Sequence, residues 1–101
     1  MSQDKKFLPA GAMREVLESK ADVSLVRMTV KAGTKPPLHT HSYAQIDYLL
    51  KGRADIRLGS NLVRLEAGQS LYIPANVEHG FLLSETDQEF LEIFVPGRQD
   101  L

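Results

Sequence analysis

The chain contains no cysteine, which excludes disulfides, thiolate zinc sites and thiol redox chemistry. Neither sign of charge dominates: 12 lysines and arginines stand against 13 aspartates and glutamates, a formal net charge of −1. That balance supplies no electrostatic reason to expect nucleic acid or an anionic membrane surface as a partner. No apolar run approaches the ~20 residues needed to span a bilayer. The opening Met1-Ser2-Gln3-Asp4-Lys5-Lys6 lacks the apolar region and small-residue cleavage site of a secretory signal. A cytoplasmic location, with no membrane partner, is the expectation. Linkers, repeats and low-complexity tracts are also missing. At 101 residues there is room for one domain and one modest core.

What is present is period-two patterning. Residues 1–10 read as an N-terminal arm, loosely held and polar up to an apolar tip at Phe7-Leu8, ahead of a single domain over 11–101. Met13 to Lys20 is ambiguous, because its Arg, Glu, Leu and Lys favour helix while no cap encloses it. After it, Val26, Met28 and Val30 alternate with Arg27, Thr29 and Lys31, as a half-buried strand requires. Short apolar segments recur at Gln45–Leu50, Ala54–Leu58, Leu62–Leu65, Ser70–Ile73, Glu78–Leu83 and Glu89–Val95. Turn signals at Lys51-Gly52, Gly59-Ser60-Asn61, Ala67-Gly68 and Pro74-Ala75-Asn76 separate them. With Met13–Ser19 as the first strand the count is about eight, which predicts an all-β jelly roll.

The chain has only three histidines. Two of them, His39 and His41, stand in Gly33-Thr34-Lys35-Pro36-Pro37-Leu38-His39-Thr40-His41-Ser42-Tyr43-Ala44-Gln45, and the third is His79. On an extended strand His39, His41 and Gln45 share one face, provided no bulge intervenes. Two imidazoles and an amide oxygen, joined by His79 from a distant strand, make a candidate site for a divalent metal. Imidazole suits Zn, Ni, Fe, Mn or Cu, so the ligand set does not select the ion. Gln45 adds no charge, which leaves any acid or base to be found elsewhere.

The last segment offers one. Leu91, Ile93 and Val95 lie on one face and Phe90, Glu92 and Phe94 on the other, which predicts a strand buried on both sides. A carboxylate there is costly to bury unpaired, and burial raises its pKa toward general acid/base use. The alternative is a structural pairing of Glu92 with an arginine. Pro96-Gly97 would turn the chain and bring Arg98 back, where it would clamp a carboxylate in bidentate fashion; the alternative is a solvated tail arginine. Asp47 shares parity with Gln45 and would line the cavity unless a bulge turned it outward. Tyr43, Tyr48 and Tyr72 read as core or rim residues.

These spacings resemble the cupin family. Its first motif, G-(x)5-H-x-H-(x)3-4-E-(x)6-G, is met by Gly33, His39, His41 and Gly52, with Gln45 in place of Glu. Its second, G-(x)5-P-x-G-(x)2-H-(x)3-N, is met by Gly68, Pro74 and His79, with Asn76 for glycine and Leu83 for asparagine. The resemblance covers about residues 22–96 and implies a double-stranded β-helix whose metal is held by His39, His41, Gln45 and His79. Gln45-Ile46-x-Tyr48 running into Lys51-Gly52, with the closing acid-x-Phe-x-Pro-x-Arg, is similar to the small cupins that linearise unsaturated uronates from pectin and alginate. That narrower likeness implies catalytic roles for Glu92, Phe94 and Arg98, with Glu92 one methylene longer than the family's aspartate. It implies a small carboxylated, sugar-like substrate and conversion to a linear keto-uronate. A dioxygenase is the first alternative, although Gln45 cannot serve as its carboxylate base. The second is a non-enzymatic small-molecule-binding cupin with a structural metal. Exposed strand edges and the apolar Leu91–Val95 strand lead us to expect a homodimer.

Overall fold

The alternating segments become antiparallel strands wherever one face finds a core. The computed structural model describes residues 4–8 and 11–101. Among these the elements are β1 (Asp4–Leu8), β2 (Ala12–Ser19), β3 (Ser24–Val30), β4 (Ala44–Lys51), β5 (Arg53–Leu58), β6 (Asn61–Glu66), β7 (Ser70–Ile73), β8 (His79–Phe81) and β9 (Gln88–Val95). They form a six-stranded sheet in the order β1-β2-β3-β9-β4-β7 and a three-stranded sheet in the order β6-β5-β8. The fold is all-β, a jelly roll of the double-stranded β-helix type. Among the described residues no helix is long and apolar enough to cross a membrane.

The core lies between the sheets. Val26, Leu49, Phe90 and Phe94 of the large sheet and Ala54, Ile56 and Leu65 of the small one are all buried. Each comes from the inward parity of its strand, so the sheets pack through alternate residues.

Two expectations change in the structure, and one open reading is decided. The N-terminal arm is not loosely held over the described residues 4–8: it pairs with β2, from Asp4↔Val16 to Leu8↔Ala12. Its residues 1–3, 9 and 10 lie outside the described residues. The ambiguous segment is strand rather than helix, since β1 and β3 flank it on both sides and tertiary pairing overrides propensity. Finally, β9 is not buried on both sides. Gln88, Phe90, Glu92 and Phe94 are buried, but Leu91 and Ile93 are half-buried and Val95 is 51% exposed. The apolar outer face of β9 is therefore the outside of the sheet.

Candidate metal centre

A cavity of about 280 Å³ opens between the sheets. Its apolar lining includes Met28, Val30, Ile56, Ile73 and Phe81, and its polar lining includes His39, His79, Gln45, Asp47, Glu92, Arg14 and Arg98.

The histidines converge by a route that strand parity does not describe. His39 and His41 precede β4 on an irregular strap, where Pro36 and Pro37 restrict the backbone. The strap is pinned to β8 by reciprocal bonds, His39 N to His79 O at 2.9 Å and His79 N to His39 O at 3.0 Å. Gly80 permits that approach, because a Cβ there would stand 2.8 Å from Leu38 Cδ2 and 3.1 Å from Leu38 Cα. Asn76, where the family motif has glycine, takes a φ of 66° and donates its N–H to His41 O at 2.8 Å. Asparagine tolerates that left-handed conformation, so the turn survives the substitution.

Each imidazole is oriented by a nearby carbonyl. Nδ1 of His39 lies 3.3 Å from Pro37 O, that of His41 3.2 Å from Tyr43 O, and that of His79 2.9 Å from Val77 O. A nitrogen facing a carbonyl carries the hydrogen, so each Nδ1 donates and each Nε2 keeps a free lone pair. The ligand atoms of the three rings lie within 4.8 Å of one another. His41 Nε2 and His79 Nε2 are buried without a hydrogen-bond partner. Burial lowers the pKa of both rings, chiefly by penalising the cation, which favours the neutral form a metal requires.

Gln45 completes the set. Its Nε2 donates to Asp47 Oδ1 at 2.7 Å and to Glu92 Oε2 at 3.4 Å, so the amide orientation is dictated by the acids. Its buried Oε1 is left without a partner. Three imidazole lone pairs and an amide oxygen fit a divalent transition ion, and these orphaned buried atoms are what such an ion would satisfy.

Asp47 does face inward: the irregularity in the β4–β9 pairing falls later, between Leu49 and Lys51. It stands directly opposite Glu92 in that register. Asp47 and Glu92 are 1% and 6% exposed. Burial pushes the Asp47 carboxyl up to about 7, against the Gln45 hydrogen bond that lowers it. Burial, then the charge of Asp47, raises Glu92 well above the ordinary range. Two adjacent buried carboxyls disfavour each other's ionisation, which favours the protonated form of one of them.

The tail returns over the mouth. Gly97 N bonds Ala21 O at 3.0 Å and Arg98 N bonds Ser24 Oγ at 2.9 Å. A side chain on Gly97 would run into Lys20 O. The Arg98 guanidinium lies 4.8 Å from the Phe94 ring centre and 5.2 Å from that of Tyr43. It does not present a free fork, since Nε bonds Asp100 Oδ1 at 2.9 Å and Nη2 bonds Asp100 Oδ2 at 2.6 Å. That pair holds the Asp100 carboxyl down to about 2. Tyr43 is more than rim: it stacks on His41 at 4.0 Å and meets the Phe94 ring edge-on at 5.3 Å.

One site residue escaped sequence reasoning. Arg14 on β2 is 7% exposed and lines the cavity, and its buried Nε has no partner. The signal was an arginine at an inward position of Ala12-x-Arg14-x-Val16, invisible while the segment could be read as helix.

Comparison with known proteins agrees with this geometry. The cupin domain model matches residues 26–95. An uncharacterized protein of Streptomyces coelicolor is 28% identical over 86 residues, which is 85% of this chain and 81% of that protein. The crystal structure of an RmlC-like cupin from Shewanella frigidimarina superposes with a TM-score of 0.90 at 23% identity, covering 97% of this chain and 87% of the other. The structure of KdgF from Halomonas sp. gives a TM-score of 0.88 at 26% identity, covering 96% of this chain and 89% of that one. The matched residues carry the three histidines, Gln45, Asp47 and Glu92 on this fold: the chain belongs to the cupin family.

Proposed function

We propose that the protein is a metal-dependent cupin enzyme acting on a small carboxylated, sugar-like substrate, and that it converts a 4,5-unsaturated uronate to its linear keto form. The observation that carries this reading is the set of unpartnered ligand atoms, His41 Nε2, His79 Nε2 and Gln45 Oε1, beside a buried acid pair, with His79, Gln45, Asp47 and Glu92 lining one cavity. The sequence resemblance to uronate-linearising cupins through Glu92, Phe94 and Arg98 supports it. A volume of about 280 Å³ suits a monomeric sugar better than a polymer chain, being near the ~300 Å³ lower end of small-ligand sites.

His39, His41, Gln45 and His79 would hold the ion. A divalent transition ion supplies Lewis acidity toward hydroxyl, ring or carboxylate oxygens. The protein residues account for the rest. Linearisation is an isomerisation: the anomeric hydroxyl loses a proton, the C1–O5 bond breaks, and C4 gains a proton as the C5 enol becomes a ketone. A carboxyl whose pKa burial has raised can both accept and return that proton. Glu92 faces the cavity for this purpose, with Asp47 behind it to share the proton. Phe94 and the apolar lining exclude water, and Arg98 with Tyr43 shapes the mouth.

The test is elemental mass spectrometry on protein purified without chelator, followed by incubation with an unsaturated uronate while the C4=C5 double-bond absorbance is followed. We expect near-stoichiometric metal and decay of the signal faster than without protein. Glu92→Gln should keep its metal and lose about 10²- to 10⁴-fold in kcat. Metal-loaded protein that leaves the double bond untouched would overturn the uronate assignment.

A further inference from the structure

We infer that Arg14, and not Arg98, receives the carboxylate of the ligand; the inference rests on the reading of this cavity as the substrate site. Arg98 has spent the edge of its guanidinium that binds carboxylates best. Its Nε and Nη2 are held by the two oxygens of Asp100 at 2.9 and 2.6 Å, and Phe94 and Tyr43 pack against its plane. The side chain is therefore already a bidentate arginine–carboxylate pair, made within the tail itself.

Arg14 is the reverse case. It is 93% buried by its 7% exposure, lines the cavity, and its Nε has no hydrogen-bond partner. Among the described residues it makes no ion pair. Its cross-strand neighbours are Lys6 on β1 and Met28 on β3, neither an acid. Asp100 is engaged by Arg98, and Glu92 contacts Gln45. Burying a guanidinium whose Nε finds no acceptor disfavours its charged form. An anion in the cavity offsets that cost, and a planar carboxylate matches the fork geometry of a guanidinium. The histidine cluster and Arg14 then grip different parts of one ligand, which orients its ring between them. The ligand class that fits is a hydroxylated monocarboxylate of monosaccharide size.

The experiment is calorimetric titration of the metal-loaded full chain with D-glucuronate and with its uncharged methyl ester. Wild type is compared with Arg14→Gln, Arg14→Lys and Arg98→Gln, each checked for metal content and thermal stability. We expect wild type to prefer the acid to the ester, and Arg14→Gln to lose on the order of 30- to 100-fold in affinity for the acid. Its affinity for the ester should stay unchanged. Arg14→Lys, which keeps the charge without the fork, should fall between. Arg14→Gln should retain its metal and melt no lower than wild type, because an unpaired buried charge has been removed. The inference is overturned if Arg14→Gln weakens acid and ester alike, if Arg98→Gln alone abolishes the preference, if wild type shows no preference, or if both Arg14 variants unfold. A loss at Arg98 would leave the uronate reading standing. An Arg14-dependent preference without turnover of unsaturated uronate would sink the uronate reading and keep the anion site.

Discussion

Buried polar side chains gather toward two ends of the interior, and the two ends are built on opposite rules. At one end Ser84 is completely used: its hydroxyl reaches Lys31 O at 2.9 Å and Thr34 O at 3.0 Å, and Thr34 N donates to it at 3.2 Å. Gln88 Nε2 bonds Arg53 O at 2.7 Å. These contacts tie loops to strands. At the other end Gln45 Nε2 is equally well held, but Gln45 Oε1, His41 Nε2, His79 Nε2 and Arg14 Nε are not. Gln88 Oε1 also lacks a partner, and among the described residues no group of ligating side chains other than the three histidines comes together. The difference teaches that one orphaned amide oxygen is not a site. Several orphans converging on a cavity are.

That contrast can be broken by exchanging the roles of the two ends. The largest effect is expected from His79→Ala, which should abolish metal retention in elemental analysis, whereas Gln88→Ala should leave metal content at the wild-type level. Equal metal in both variants would dissolve the distinction. Next comes Ser84→Ala, which removes the hydroxyl while Thr34 N keeps Lys31 O and Thr34 O keeps Ser84 N; it should cost about 0.5–1.5 kcal/mol in chemical denaturation without touching metal content. Loss of metal in Ser84→Ala would show that the two ends are coupled.

The acid pair provides a smaller and pH-dependent effect. In metal-free protein Asp47 and Glu92 have pKa values raised on folding, so the folded state binds more protons than the unfolded state and stability falls as pH rises toward and through about 7. The lowered His41 and His79 act in the opposite sense, with stability rising as pH climbs to about 6.5. Above that only the carboxyls remain, and stability should decline from about pH 6.5 to 8 by on the order of 1–2 kcal/mol. Asp47→Asn should flatten the decline, because the amide carries no charge beside Glu92. An identical slope in wild type and variant, measured by denaturant midpoints, would contradict the shared proton.

Much of the fold was legible because a half-buried strand writes its two faces as alternate residues. Val26, Met28 and Val30 needed no structure to be placed inward. The Leu91–Val95 face misled, since apolar residues on an outer sheet surface look the same in sequence as buried ones. The ambiguous β2 hid Arg14 for a related reason: period alone does not decide a segment whose neighbours on both sides are unknown.

By itself the sequence determined the all-β pattern, the positions of the three histidines and Gln45, and the tail that carries Glu92, Phe94 and Arg98. Those are local properties, carried by period, spacing and side-chain chemistry. Only tertiary structure decided which atoms were free. The His39–His79 bridge brings the rings together, the β4–β9 register sets Asp47 against Glu92, Asp100 occupies Arg98, and the residues directly opposite Arg14 are Lys6 and Met28. Partnership depends on residues far apart in the chain, and whether a buried polar atom has a partner decides whether it builds the fold or waits for a ligand.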